Sequence, residues 1–389
     1  MSSKKAASKS RKTVTQAVKQ TKKSLRAERA QIAVPHPNHE FGYKHHIFIA
    51  KLKRGEVWAL NQLNLPAKGQ ITPLFEMWPP NPGTAIKPAK PLTQHVSDLL
   101  GILAIEWANL PCYIDTQYLQ AGGAPSPGNA QTVFATARNL NVNAVPVTSP
   151  YHSPQFQQVI RDTIKTDGRG VMLRLPVAFF DLPNPAGYLD GLTTFLEISR
   201  NEVDILIDLA FRPNVIEVQS LGGSCLNKLP HIGNWRTVTL AAGCFPESIS
   251  DEPVGTWLPF NRSDWNGWLA IYGQRRSAKL RLPSYGDYGV RCGGKPNFIP
   301  NSPAPNIRYS APQTTWVRKG PRTAGSMGAI CADLVAQPHF SGTQFSQGDA
   351  DIAAKAAMTN LTNGSAEQWI QWCTNHHLEM TASQIQNLP

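Results

Sequence analysis

The chain has 389 residues, 41% of them hydrophobic and 16% charged, with 32 prolines and 29 glycines. That is enough apolar material for a large buried core, and so many Pro and Gly spread over many loops exclude a fibrous architecture. The formal net charge is +12, but residues 1–30 hold ten Lys and Arg against the single acid Glu28, so the body is close to neutral and the attraction for anions is concentrated at the N-terminus.

Residues 1–42 read as a basic, disordered tail and linker, with Lys4, Lys5, Arg11, Lys12, Lys19, Lys22, Lys23 and Arg26 as candidate nucleic-acid contacts. Pro35-His36-Pro37-Asn38 marks its end. No apolar segment follows the lysines, so the tail does not read as a signal peptide. The longest apolar run, 99–108, is broken by Gly101 and Glu106 and falls far short of the roughly 20 residues that span a bilayer. Six cysteines lie scattered without a Cys-x-x-Cys pair, as reduced thiols of a cytoplasmic protein would.

Beyond the tail the chain alternates between short apolar runs and helix-period segments. The runs are 47–51, 71–77, 112–115, 144–147, 171–175, 205–208, 235–241 and 279–282. The first seven are followed by predicted helices near 55–63, 92–108, 129–140, 153–165, 186–200, 214–221 and 263–272. Ser153-Pro154 is an N-cap with proline in the first helical position. A long irregular stretch leads to a closing helix at 324–335, and further helices are predicted at 351–360 and 366–374. Strand-then-helix units imply parallel strands, and eight of them favour closure into an α/β fold of the (β/α)8, TIM-like type. The expected division is a barrel over 43–335 and a small helical extension over 336–389 packed on it. An open doubly wound sheet is the alternative. Loops after the strands are long and loops after the helices short, which places the elaborate face at the C-terminal ends of the strands.

Polar residues close these apolar runs. Lys51, Glu76, Asp115 and Asp208 end four of them, Arg174 lies in a fifth, and Tyr285, Asp287, Arg308 and Tyr309 follow the last. A charge there needs a partner, so a ring of mixed charges at the barrel mouth is expected. Glu76, Asp115, Asp208 and Asp287 are the candidate catalytic carboxylates, and Lys51, Arg174, Tyr285, Arg308 and Tyr309 the candidate ligand contacts. Paired carboxylates suit acid–base work, as in glycoside hydrolysis, or oxygen ligation of a divalent cation. The two arginines suit a phosphate or carboxylate on the ligand. The plainer reading is a structural ring that only closes the barrel. His45-His46 and His376-His377 read as structural, with metal binding at the second pair the less favoured alternative.

Several segments together resemble the beta-protein family, found in T4-like bacteriophage and in bacterial genomes. They are Lys51-x-x-x-Gly55-Glu56-x-x-Ala59-Leu60, the Asp115 strand end, Leu206-Ile207-Asp208, Trp235-Arg236 with Phe245-Pro246, Tyr285-Gly286-Asp287-Tyr288, Ile307-Arg308-Tyr309, Phe340-Ser341-Gly342 to Gly348-Asp349, and Trp369 with His376-His377-Leu378. The resemblance spans residues 45–380 and omits the basic tail. It implies a phage or phage-defence setting, with a protein partner there, and brings no catalytic roles. The expectation is a barrel that recognises or processes an anionic or nucleic-acid-derived ligand at its mouth. The alternatives are a non-enzymatic scaffold and a carboxylate-pair hydrolase acting on a glycan or glycoside.

Overall fold

The strand alternation sorts side chains into a barrel interior and a helix-facing shell. The computed structural model describes residues 41–83, 88–293, 304–359 and 361–389, so the basic tail and its eight candidate contacts lie outside the described residues. Eight parallel strands close on one another: β1 (His46–Lys51), β2 (Ile71–Glu76), β3 (Cys112–Asp115), β4 (Ala144–Thr148), β5 (Val171–Pro176), β6 (Val203–Phe211), β7 (Thr237–Gly243) and β8 (Ser284–Asp287). Ile47 and Ile49 of β1, Leu74, Tyr113, Val145, Val147, Met172, Leu206 and Ala241 fill the interior. Their neighbours Phe48, Phe75, Ile114, Leu173, Ile205 and Leu240 pack outward against the helices, the two-residue period of a strand buried on both faces. Gly286 faces inward, and a Cβ there would come within 2.7 Å of the Ala241 Cβ.

The crossovers are α1 (Arg54–Asn61) with the short α2 (Leu65–Gly69), α3 (Leu92–Glu106), α4 (Pro127–Asn139), α5 (Pro154–Asp167), α6 (Pro185–Leu196), α7 (Val215–Lys228) and α8 (Ser263–Ser277). Ser126, Ser153 and Asn184 cap three helices that each begin on proline, accepting backbone N–H bonds from Asn129, Phe156 and Gly187.

Two sequence expectations are corrected here. The eighth strand is Ser284–Asp287 and not 279–282. Lys279 has φ of +53° in the turn that leaves α8, Leu280 is half exposed, and the Arg281 guanidinium donates to the carbonyls of Ile232 and Arg236. The Lys-Leu-Arg-Leu alternation is therefore a helix exit. The helix α9 (Ser326–Val335) also does not close the barrel. Its Met327, Ile330, Cys331 and Leu334 join a second core with Val290, Ile307, Tyr309, Ile352, Trp369 and Trp372.

That second core lies between an antiparallel sheet, in the order Trp257–Asn261, Thr314–Lys319, Asn306–Ser310, and the helices α9, α10 (Gln347–Ala356) and α11 (Ala366–Gln386). The two later strands fall in the stretch expected to be irregular. Their sequences, NIRYS and TTWVRK on either side of a Pro-containing turn, carry the alternation of a hairpin.

The 21-residue α11 belongs to both cores. Its N-terminal half gives Trp369, Trp372 and Cys373 to the second core. Its C-terminal half gives Leu378, Ala382 and Ile385 to the barrel core. This half packs against α1 and is tied by Thr381 and Gln384 to Arg262 at the start of α8, so it fills the eighth helix position. Each large apolar side chain buried there stabilises by about 1.5–3 kcal/mol, and several together rival the about 5–15 kcal/mol that holds a domain folded. Truncation after residue 359 is therefore expected to abolish cooperative thermal unfolding of the barrel. A sharp melt near the full-length midpoint would contradict this role for α11.

Candidate active site

Arg174 projects inward from β5 at the C-terminal end of the barrel and is 8% exposed. Its Nη1 donates to Glu76 Oε1 at 2.9 Å and to Asp115 Oδ2 at 2.7 Å. Its Nε donates to Asp208 Oδ2 at 2.9 Å, and its Nη2 to the Tyr288 hydroxyl at 2.8 Å. That hydroxyl in turn donates to Asp208 at 2.8 Å. One guanidinium thus faces three carboxylates, brought together by β2, β3, β5 and β6, with Tyr288 just past β8.

Local backbone fixes two of the acids. The Gln117 N–H donates to Asp115 Oδ1 at 2.9 Å, and the Ala210 N–H to Asp208 Oδ1 at 2.8 Å. Ala210 has φ of +58° at an irregularity in the pairing of β6 with β7. That left-handed conformation costs about 1–2 kcal/mol in an L-residue and turns the N–H onto the carboxylate.

The electrostatics follow from the stoichiometry. Burial raises Glu76 from its ordinary 4.5 to about 7; Arg174 opposes the shift, and Asp115 and Asp208 reinforce it. Tyr118 is also raised, first by burial and then by the charge of Glu76, which places its hydroxyl over the cluster. Its ring stacks on Trp78 at 3.8 Å, and Lys51 Nζ lies 5.1 Å from the Trp78 ring centre. His152 completes the rim. Its Nδ1 accepts from the Ser149 N–H at 3.3 Å, and burial lowers its pKa, so it is a neutral imidazole with its proton on Nε2. Beside the cluster is a cavity of about 10 Å³ lined by Lys51, Glu56, Glu76, Tyr288, Arg291 and Cys292, room for about one water.

The chain matches the Beta protein family over residues 47–383. It belongs to that family. No curated protein matches it. Among solved structures it is similar to a Rhizobium etli pyruvate carboxylase with acetyl coenzyme A, at 10% identity and a TM-score of 0.33. The carboxyl transferase domain of the same enzyme, with pyruvate and biocytin, gives 10% identity and 0.34. The matches cover 94% and 89% of this chain but only 29% and 49% of those chains.

The family segments meet at two centres. Glu76, Asp115, Arg174 and Asp208 converge at the mouth, with Lys51 at its rim. Asp287 does not join them. It has the outward parity of Tyr285, and its oxygens meet His46 Nε2 at 3.0 Å and His377 Nε2 at 2.8 Å. His377 Nδ1 lies 2.8 Å from the Ser310 hydroxyl. Burial alone would raise Asp287, but the two histidines hold it well below the usual carboxylate range. The clasp joins β8, β1, the outer sheet and α11.

Tyr285 is wedged between Trp265 and Trp268. Tyr309 donates to Asp349 at 2.6 Å and stacks on His376 in the second core. Arg308 donates to the Val290 carbonyl, lies 4.3 Å from the Phe245 ring centre, and is pushed by burial and by Arg291 to about 10. Trp78, Tyr118, His152, Tyr288 and Arg291 were not singled out from the sequence. Only Tyr288 left a signal there, its inward parity two residues after Gly286. Among the described residues no group of three or more His, Cys, Asp and Glu side chains is placed to hold a metal ion. No helix there is long and apolar enough to cross a membrane.

The raised Glu76 pKa makes a signed prediction. Its proton is bound more tightly in the folded chain, so its contribution is full below about pH 4.5 and lost as pH rises to about 7. The lost amount is on the order of 3 kcal/mol at about 1.4 kcal/mol per unit. Glu76→Gln is expected to match the parent stability at pH 5 and to exceed it at pH 8 in denaturant melts. Parallel pH curves for the two proteins would contradict the assignment.

Proposed function

We propose that the protein is a ligand-processing barrel whose mouth performs carboxylate acid–base chemistry on a small, polar, ring-bearing ligand. The observation that carries this reading is Glu76, raised to about 7 beside Asp115 and Asp208 at the C-terminal face of a barrel. A carboxyl poised near neutrality can donate and take back a proton at working pH. Cleavage of a glycosidic bond in a sugar or nucleoside fits the set. Protonated Glu76 would donate to the leaving atom, and Asp115 or Asp208 would face the positive charge that develops on the sugar. Water then completes the hydrolysis. Glu76 and Asp115 share one Arg174 nitrogen, so their bonded oxygens lie closer than the roughly 6.5–9.5 Å that inverting enzymes leave for a water. The Trp78–Tyr118 stack offers a flat apolar surface for a sugar or base.

A second reading is favoured by one observation. Each carboxylate is bonded to Arg174 and the adjoining cavity holds about one water, as a purely structural closure would require. Asp208→Asn separates the two. The acid–base reading expects loss of turnover on a panel of nitrophenyl glycosides and nucleosides with a melt within a few degrees of the parent, because Arg174 keeps two carboxylates. The structural reading expects a loss on the order of 3–5 kcal/mol and no turnover by the parent protein.

The phage or antiphage setting, a protein partner within it and a cytoplasmic location follow from the family resemblance and the cysteine pattern. Nucleic-acid affinity is assigned to the tail on its charge density alone. Deletion of residues 1–33 is expected to leave the melt unchanged and to remove most salt-sensitive binding to DNA or RNA. Unchanged affinity after the deletion would end that assignment.

A further inference from the structure

The rim beside the carboxylate cluster carries the opposite charge. Lys51 ends β1, Lys53 stands just before α1, and Arg291 follows β8, the ring neighbour of β1. Lys51 and Arg291 line the same small cavity as Glu76. Arg291 is tied to Glu56 at 3.1 Å, leaving no other printed carboxylate partner to share among the three cations. Among the described residues neither lysine ammonium makes an ion pair or a hydrogen bond; Lys51 only faces the Trp78 ring. Burial first and the Arg291 charge second hold both lysines below their ordinary value, and Arg308 behind them is lowered by the same two causes. Crowded cations without an anion are unfavourable, and amine and guanidinium donors converging on one spot suit an oxyanion.

We infer that Lys51, Lys53 and Arg291 form a subsite for a phosphate group, carried by a ligand whose ring reaches the carboxylate cluster. The ligand class is then a sugar phosphate or a nucleotide. This rests on the reading of the mouth as a ligand site. The competing explanation is that the rim cations merely offset the excess negative charge of the cluster. Direct pairing would then be expected, yet the bonded oxygen of Glu76 is turned to Arg174 and Lys51 is turned to Trp78.

The test is calorimetric titration of the full chain with pyrophosphate at fixed ionic strength. The rim double variant Lys51→Met/Lys53→Met is expected to bind at least about tenfold more weakly, the worth of one charge-assisted hydrogen bond. The tail double variant Lys4→Met/Lys5→Met is expected to bind as the parent does. Equal binding by parent and rim variant, or no binding by the parent at millimolar pyrophosphate, overturns the subsite. Lys53→Met alone, on the most exposed of the three side chains, keeps the test available if the double variant fails to fold. Arms with ribose 5-phosphate and with a 5′-phosphorylated dinucleotide separate the sources of the phosphate. Tighter binding of either than of pyrophosphate supports the subsite and assigns the source, and binding of neither overturns it. Glu76→Gln leaves the rim intact, so pyrophosphate binding retained there without any change in turnover would fail the acid–base reading and spare the subsite.

Discussion

The guanidinium of Arg174 is the constraint on which the barrel mouth depends. Three carboxylates approach it from three strands, and no other cation makes an ion pair with any of them among the described residues. Taking one carboxylate out of water without a partner costs several kcal/mol, so without Arg174 the strand ends could not converge in their ionised form. The planar fork matters as much as the charge. Nε, Nη1 and Nη2 point in different directions and reach acids on β2, β3 and β6 together with Tyr288 past β8. A lysine ammonium at the same place could not span that set.

Strand parity explains which part of this was legible in the sequence. Glu76 lies two residues beyond Leu74, Asp115 two beyond Tyr113, Arg174 two beyond Met172, and Asp208 two beyond Leu206, and all four partners are interior residues. An apolar run ending in a charge, counted in steps of two, therefore places these four. The same count places Asp287 outward, because Tyr285 packs against the helix shell and Tyr288 against the interior. Treating every strand-terminal acid as equivalent misses that one-residue difference, which moves a side chain to the other face of the wall.

The rest was hidden by sequence distance. A barrel's eighth helix is sought directly after its eighth strand, but here a sheet and two helices intervene before α11 arrives. The polar residues of α11 that read as a helix-capping pair, His376 and His377, are both buried. Their partners, Asp349 and Asp287, lie 27 and 90 residues away. Nothing local marks such a pairing, because a histidine buried against a distant carboxylate looks in sequence like one facing solvent. Trp78, Tyr118 and His152 sit in loops after three different strands and became neighbours only through closure of the ring.

The two buried carboxylate centres also show why one of them can exchange protons near neutrality and the other cannot. Asp287 alone receives two imidazoles and the Gly289 N–H, so its charged form is over-supplied with donors and its pKa is driven down. Glu76 shares a single guanidinium with two other acids, and burial outweighs that share. Burial is nearly complete for both, and both are carboxylic acids closing strands of one barrel. The number of donors per carboxylate sets the opposite outcomes. The clasp at Asp287 is suited to holding α11 against β1 and β8, since a carboxylate that stays ionised keeps its bonds over a wide pH range. The mouth is under-supplied with positive charge, and that deficit is what leaves Glu76 free to gain and lose a proton.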